Sequence, residues 1–95
     1  MACIDTGSAL LMVKTRLNRT PQDTALDEYL YYRIDAAIEA LEATGITLTD
    51  STADLLLVVD YTVWEYQNRD QPGGMPEWLR LRRRERWLQQ RRAEA

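Results

Sequence analysis

The hydrophobic positions of this chain recur at helical spacing in four stretches, near residues 8–18, 21–44, 50–69 and 76–91, each bounded by capping or breaking residues. The densest is Asp50–Arg69, DSTADLLLVVDYTVWEYQNR. Placed at about 100° per residue, Leu55, Val59, Val63 and Tyr66 form one apolar stripe with Leu56 beside it. Leu57, Tyr61 and Trp64 form a second on roughly the opposite side, and Asp60, Gln67 and Glu65 lie between them. A helix apolar on two faces has to be covered on both. Either both covers come from one small core, or one comes from the chain's own helices and the other from a second subunit.

In chain order, Ser8 reads as the N-cap of a short helix carrying Leu10, Leu11, Met12, Val13 and Leu17. Residues 1–11 contribute little organisation on this reading, and Met12 is an alternative translation start. Thr20 reads as the next N-cap, with Pro21 at the first helical position and Asp23 at the third. Gly45 supplies the stop. Leu26, Leu30, Ile34, Ala37, Ile38 and Leu41 form the core face of this helix. Ala25, Tyr29, Tyr32, Ala36, Ala40 and Ala43 form another face, which packs on the first helix or meets a neighbouring subunit. Ile46–Thr49 is a short extended connector, and Asp50 or Ser51 caps the central helix, with Asp54 completing a capping box. Asp70–Gly74 breaks the chain, and Pro76 opens a last helix. Its thin apolar seam is Trp78, Leu81 and Leu88, with Leu79 and Trp87 pointing elsewhere and arginines around the axis. Such a helix buries poorly against its own domain and calls for a partner. The expected architecture is all-α: a small antiparallel bundle of about four helices, with a core over residues 1–75 and an arginine-rich docking helix over 76–95.

Composition narrows the function. Ninety-five residues with 45% apolar and 28% charged side chains describe one small globular domain. No apolar run is long enough to span a membrane, and the start MACIDTGSALLMVK lacks the basic opening of a secretory signal. The single cysteine, Cys3, has no partner for an internal disulfide, which suits a reducing compartment. There are no histidines, which removes the commonest general base and metal ligand. No phosphate-binding glycine loop or nucleophile–base pair occurs. Asp35, Glu39 and Glu42 at helical spacing read as a solvated face, as do Asp27 and Glu28. We therefore expect no enzyme and no catalytic, metal or cofactor site.

The net charge of −3 is unevenly spread. Residues 1–79 carry thirteen acidic and five basic side chains, a net −8; residues 80–95 carry seven arginines and two glutamates, a net +5. An acidic body with a basic end suits docking on an acidic protein surface. Phosphate binding by Arg80, Arg82, Arg83, Arg84, Arg86, Arg91 and Arg92, with Trp78 and Trp87 stacking on bases, is the alternative.

Three segments in order, ALDEYLYYRIDAAIEALEATGI, TLTDSTADLLLVVDYTVWEYQNRD and MPEWL, resemble the head–tail connector (head-completion adaptor) family of tailed phages. The matching positions are Asp27, Leu30, Ile34 and Ala37, then Gly45, then Tyr61, Trp64, Tyr66 and Arg69, then Met75-Pro76. The resemblance covers more than half the chain, while the arginine-dense end beyond Arg80 is less typical of the family. It implies an all-helical virion neck protein, made in the host cytoplasm, that forms a ring of about twelve copies under the portal protein. Such a ring extends the DNA channel, without sequence-specific DNA binding, and receives the next neck or tail-completion protein. On this reading Trp78, Leu81 and Leu88 anchor the portal contact and Arg80, Arg83, Arg84 and Arg86 meet acidic groups. The subunit interface is expected on Ala25, Tyr29, Tyr32, Ala36 and Ala40, or on Leu57, Tyr61 and Trp64. A small DNA-binding or DNA-packaging accessory protein that uses the arginine helix is the rival.

Overall fold

A computed structural model describes residues 4–71 and 73–94; Cys3 and Pro72 lie outside the described residues. The chain forms four helices and, among the described residues, no strand: α1 (Thr6–Arg16), α2 (Asp27–Ala43), α3 (Thr52–Gln67) and α4 (Glu77–Glu94). The all-α expectation holds. Helices α1, α2 and α3 pack on one another, and α4 packs on α3. The pairs Tyr29–Tyr66 and Arg33–Glu65 set α2 antiparallel to α3, and Asp54–Arg86 with Asp60–Arg82 do the same for α3 and α4.

Each helix end has a local cause. Helix α1 begins two residues before the expected start because Asp5, not Ser8, is its N-cap, accepting from the backbone N–H groups of Gly7 and Ser8 and from the Ser8 hydroxyl. Residues 4–11 are also part of the structure, since Ala9 and Leu10 are buried and Ile4 closes the same core. The helix ends with Asn18 in the left-handed conformation (φ 60°), while the N–H of Arg19 donates to Lys14 O and that of Asn18 to Thr15 O.

Helix α2 starts at Asp27, six residues after the expected Pro21. Two successive turns replace the missing helix: Asp23 N–H donates to Thr20 O and Asp27 N–H to Thr24 O. The Asp23 carboxylate accepts from Ala25 N–H, a side-chain bond that competes with helix formation. The carbonyl of Pro21 is turned inward to accept from Lys14 Nζ at 3.1 Å. At the other end Gly45 takes φ 97°, and a side chain there would also meet Trp87 Nε1 at 3.2 Å. Glycine is required twice over at this position.

Ser51 caps α3 and accepts from Asp54 N–H. The expected capping box is only half formed, because the Asp54 carboxylate turns to Thr49 and away from the Ser51 backbone. Leu30, Ile34, Ala37 and Leu41 are fully buried, as expected, and Leu26 and Ile38 pack at the edge. Helix α3 is buried over more of its circumference than its two stripes imply: Leu57, Val58, Val59, Thr62 and Val63 are all core. The Thr62 hydroxyl is satisfied by Val58 O at 2.7 Å. Along the connector, Ile46 and Leu48 point inward while Thr47 and Thr49 stay exposed.

The last helix is bound to its own domain more firmly than its thin seam suggested. Leu79, expected to point away, is fully buried; Trp87 packs on Gly45 and the core edge. Trp78 and Leu81, the expected seam, are about half exposed, at 49% and 50%. A division at residue 75 is therefore bridged by core packing. Leu79→Ala is expected to cost about 2–5 kcal/mol, the usual range for truncating a buried leucine. Urea unfolding should show a lower midpoint with an unchanged slope. A loss below about 0.5 kcal/mol, the size of an ordinary surface change, would place α4 outside the cooperative unit.

Candidate functional site

Helix α3 carries two carboxylates into the packed interior, and both draw arginines from elsewhere. Asp54 is 1% exposed. It receives Arg86 through two nitrogens, Nε to Oδ1 at 2.7 Å and Nη2 to Oδ2 at 3.1 Å. Thr49 adds its N–H and its hydroxyl, each at 2.8 Å to Oδ2. Burial pushes this carboxyl upward, but the Arg86 and Thr49 hydrogen bonds outweigh that and hold it below its ordinary value. One turn and a half further on, Asp60 accepts from Arg16 of α1 and Arg82 of α4, so one carboxylate ties three helices. Arg86 also donates to Thr47 O, and Gln90 clamps the connector through Thr47 N–H and Gly45 O. A third buried charge, Lys14, donates to Pro21 O and sits 3.0 Å from Asp27 Oδ1. That last contact is an ion pair without hydrogen-bond alignment, because Asp27 Oδ1 has no hydrogen-bond partner.

These contacts sort the α4 arginines by face. Arg82 and Arg86 point to α3 and belong to the fold; Arg86, expected to meet a partner's acid, meets Asp54 of its own chain. Arg80, Arg83 and Arg84 line an open cleft of about 310 Å³ with Thr44 and Trp87. Arg91 lies over the Trp87 ring, 4.9 Å from its centroid. Gly45 lies against its indole nitrogen and Arg91 over its face, so a base stacking on that face of Trp87 would have to displace Arg91. Leu81 and Arg92 face a different groove, about 400 Å³, whose floor is Ala53 and Leu57. Leu88 is half-buried. The expected docking set is thus split: its free arginines lie in one cleft and Leu81 in another.

The expected subunit faces also separate. Leu57 is core, which assigns it to the chain's own interior, while Tyr61 and Trp64 are half-buried and meet edge to face at 5.7 Å between centroids. On α2, by contrast, Ala25, Tyr29, Tyr32 and Ala36 are exposed, Tyr32 by 65%, and Ala40 is half-buried. Helix α1 does not cover this face. Beside it Asp35, Glu39 and Glu42 are exposed. A smaller apolar groove, about 280 Å³, lies between α1 and α3 and is lined by Leu11, Met12, Leu56 and Val59.

Among the described residues no acidic, cysteine or histidine group is arranged to hold a metal ion, and no helix is long and apolar enough to cross a membrane. No family model, curated protein or solved structure matches this chain.

Sequence reasoning placed Asp60 on a polar flank and Asp54 in a cap. The available signal was their isolation within an otherwise apolar helix, next to a helix with arginine to spare. The Asp54–Arg86 pair predicts a specific acid response. A carboxyl held below its unfolded value of 3.8 contributes stability in full above that value and loses it as pH falls through the lower folded value. Asp54→Asn should therefore be destabilised relative to wild type at neutral pH, with the difference shrinking as pH falls below the ordinary carboxylate range. Denaturation series across that range read it directly, and a constant difference would refute the assignment.

Proposed function

We propose that this protein is a structural adaptor of the head–tail connector type, a neck component that assembles into a ring beneath the portal. The observation that carries this reading is the outward face of α2. There Tyr29, Tyr32 and Ala36 stand uncovered on a helix whose opposite face is fully buried. Exposed aromatic groups beside small residues are what a protein–protein contact needs at its centre. The ordered resemblance of residues 26–79 to that family supplies the biological setting.

In this reading the α2 face meets a neighbouring subunit, and a ring follows when a head-to-tail contact closes by rotation. The portal contact is made by the side of α4 that presents Trp78 and Leu81, with Leu88 at its edge. The acidic body keeps passing DNA from adhering. The protein contributes position and contact, not chemistry. Because Leu79 and Trp87 are part of the core, removing α4 outright would damage the fold. Point changes on its exposed side are the cleaner test.

DNA-filled heads lacking this protein should regain tail joining when wild type is added. Ala36→Arg should block assembly of the ring while circular dichroism remains wild type. Trp78→Ser combined with Leu81→Ser should leave heads unjoined, since apolar anchors of this kind typically carry about 1–4 kcal/mol of a contact each. Joining at wild-type levels by both variants would overturn the reading. Tight binding of duplex DNA by the isolated protein at physiological salt would favour the DNA-binding rival.

A further inference from the structure

Two exposed faces of this chain are unpaired and opposite in charge. The cleft formed by Arg80, Arg83 and Arg84 with Thr44 and Trp87 includes no carboxylate in its lining. None of these three arginines has an acidic partner within ion-pair distance among the described residues. On α2, the exposed carboxylates of Asp35, Glu39 and Glu42 likewise have no cationic partner among the described residues. At helical spacing these three acids lie within about 60° of one another, on the side of α2 away from the core residues Leu30, Ile34, Ala37 and Leu41. Asp35 to Glu42 spans about 10 Å of helix and Arg80 to Arg84 about 6 Å.

We infer that the arginine cleft of α4 receives the Asp35, Glu39 and Glu42 row of a second copy of this chain. This deepens the ring reading and rests on it: it names the two halves of the head-to-tail contact and leaves Trp78 and Leu81 for the portal. The occupant follows from charge complementarity. Arginine forks donate paired hydrogen bonds to carboxylates, and the neighbouring Tyr32 supplies apolar area beside the acids. Nucleic acid is the weaker fit, because the aromatic ring lining the cleft, Trp87, is half-buried against Gly45 and already has Arg91 over its face. In the ring reading each copy offers its acidic row to one neighbour and its arginine cleft to the other, which makes the association heterologous.

Charge reversal separates the halves. One variant carries Arg83→Glu and Arg84→Glu; the other carries Glu39→Arg and Glu42→Arg. All four positions lie on the surface or at its edge, and circular dichroism checks that each variant folds. Analytical ultracentrifugation at low salt should show wild-type self-association that weakens as salt is raised. Each variant alone should associate about tenfold or more weakly, as opposed like charges are costly in a contact. Mixed one to one, the two should associate again, because the acidic row of the first meets the native cleft of the second and the reversed row of the second meets the reversed cleft of the first. A single chain carrying all four changes should regain self-association. A wild type that stays monomeric at millimolar concentration would overturn the inference, as would variants that associate normally or a mixture that fails to associate. Tail joining by DNA-filled heads tells this failure from failure of the adaptor reading. Variants that associate normally but no longer join heads would return the arginines to the portal and keep the adaptor. Variants that fail to associate yet still join heads would keep the contact and remove the adaptor role.

Discussion

The position of α4 depends on the carboxylate of Asp54. A charge that is 1% exposed cannot remain in an apolar helix without a cation and further donors. Thr49 supplies two of those donors from the connector, and Arg86 supplies a fork from the far helix. This requirement fixes the distance and rotation of α4 against α3. It also fixes which arginines of α4 face inward: with Arg86 on Asp54, the residue one turn earlier, Arg82, falls on Asp60. Arg80, Arg83 and Arg84 are then turned to the other side. The surface character of the protein is set from inside.

The same logic explains why the connector between α2 and α3 is short and extended. Ile46 and Leu48 close the end of the core, and the backbone between them is held by Arg86 and Gln90. Gly45 brings the end of α2 close enough for Trp87 to pack on it. Four elements meet there, yet few large apolar side chains are involved. Polar clamps substitute for area in a chain too small to bury much of it. Replacing such a buried pair by apolar groups would not necessarily destabilise the domain. What the pairs supply is orientation, because a charge has few acceptable positions and a methyl group has many.

Much of the fold was readable from spacing alone. Period and breakers gave four helices with no strand, and the α2 core stripe was correct at Leu30, Ile34, Ala37 and Leu41. The misreadings share a cause. Thr20-Pro21 looks like a helix start, but Lys14 must be satisfied by Pro21 O and Asp27, and this holds the segment in turns. Ser8 looks like a cap, but Asp5 reaches the free N–H groups first. Leu79 looked idle because an amphipathic reading of α4 weighs only apolar residues, whereas Arg82 and Arg86 belong to its inner face as surely as Leu79 does. Long-range ion pairs leave no periodic trace in a sequence. The tyrosine face of α2 was visible as a pattern, but only the packed structure distinguishes a flank covered by α1 from one left open.

An arginine-rich helix is usually divided into an apolar inside and a charged outside. Here the division runs between satisfied and unsatisfied charge. The inner arginines are already bound to aspartates and are unavailable to a partner without unfolding the clasp. The outer ones are solvated and lose little by exchanging water for carboxylates, so each exposed pair is worth only about 0–1 kcal/mol. A contact built from them alone would be weak and sensitive to salt. Affinity has to come from apolar area, which the outward surface supplies as Tyr29 and Tyr32 on α2 and as Trp78 and Leu81 on α4. In such a contact charge would set orientation, while the aromatic and leucine side chains would supply the buried area. A contact on such a surface gains most of its strength when apolar and charged groups are buried together.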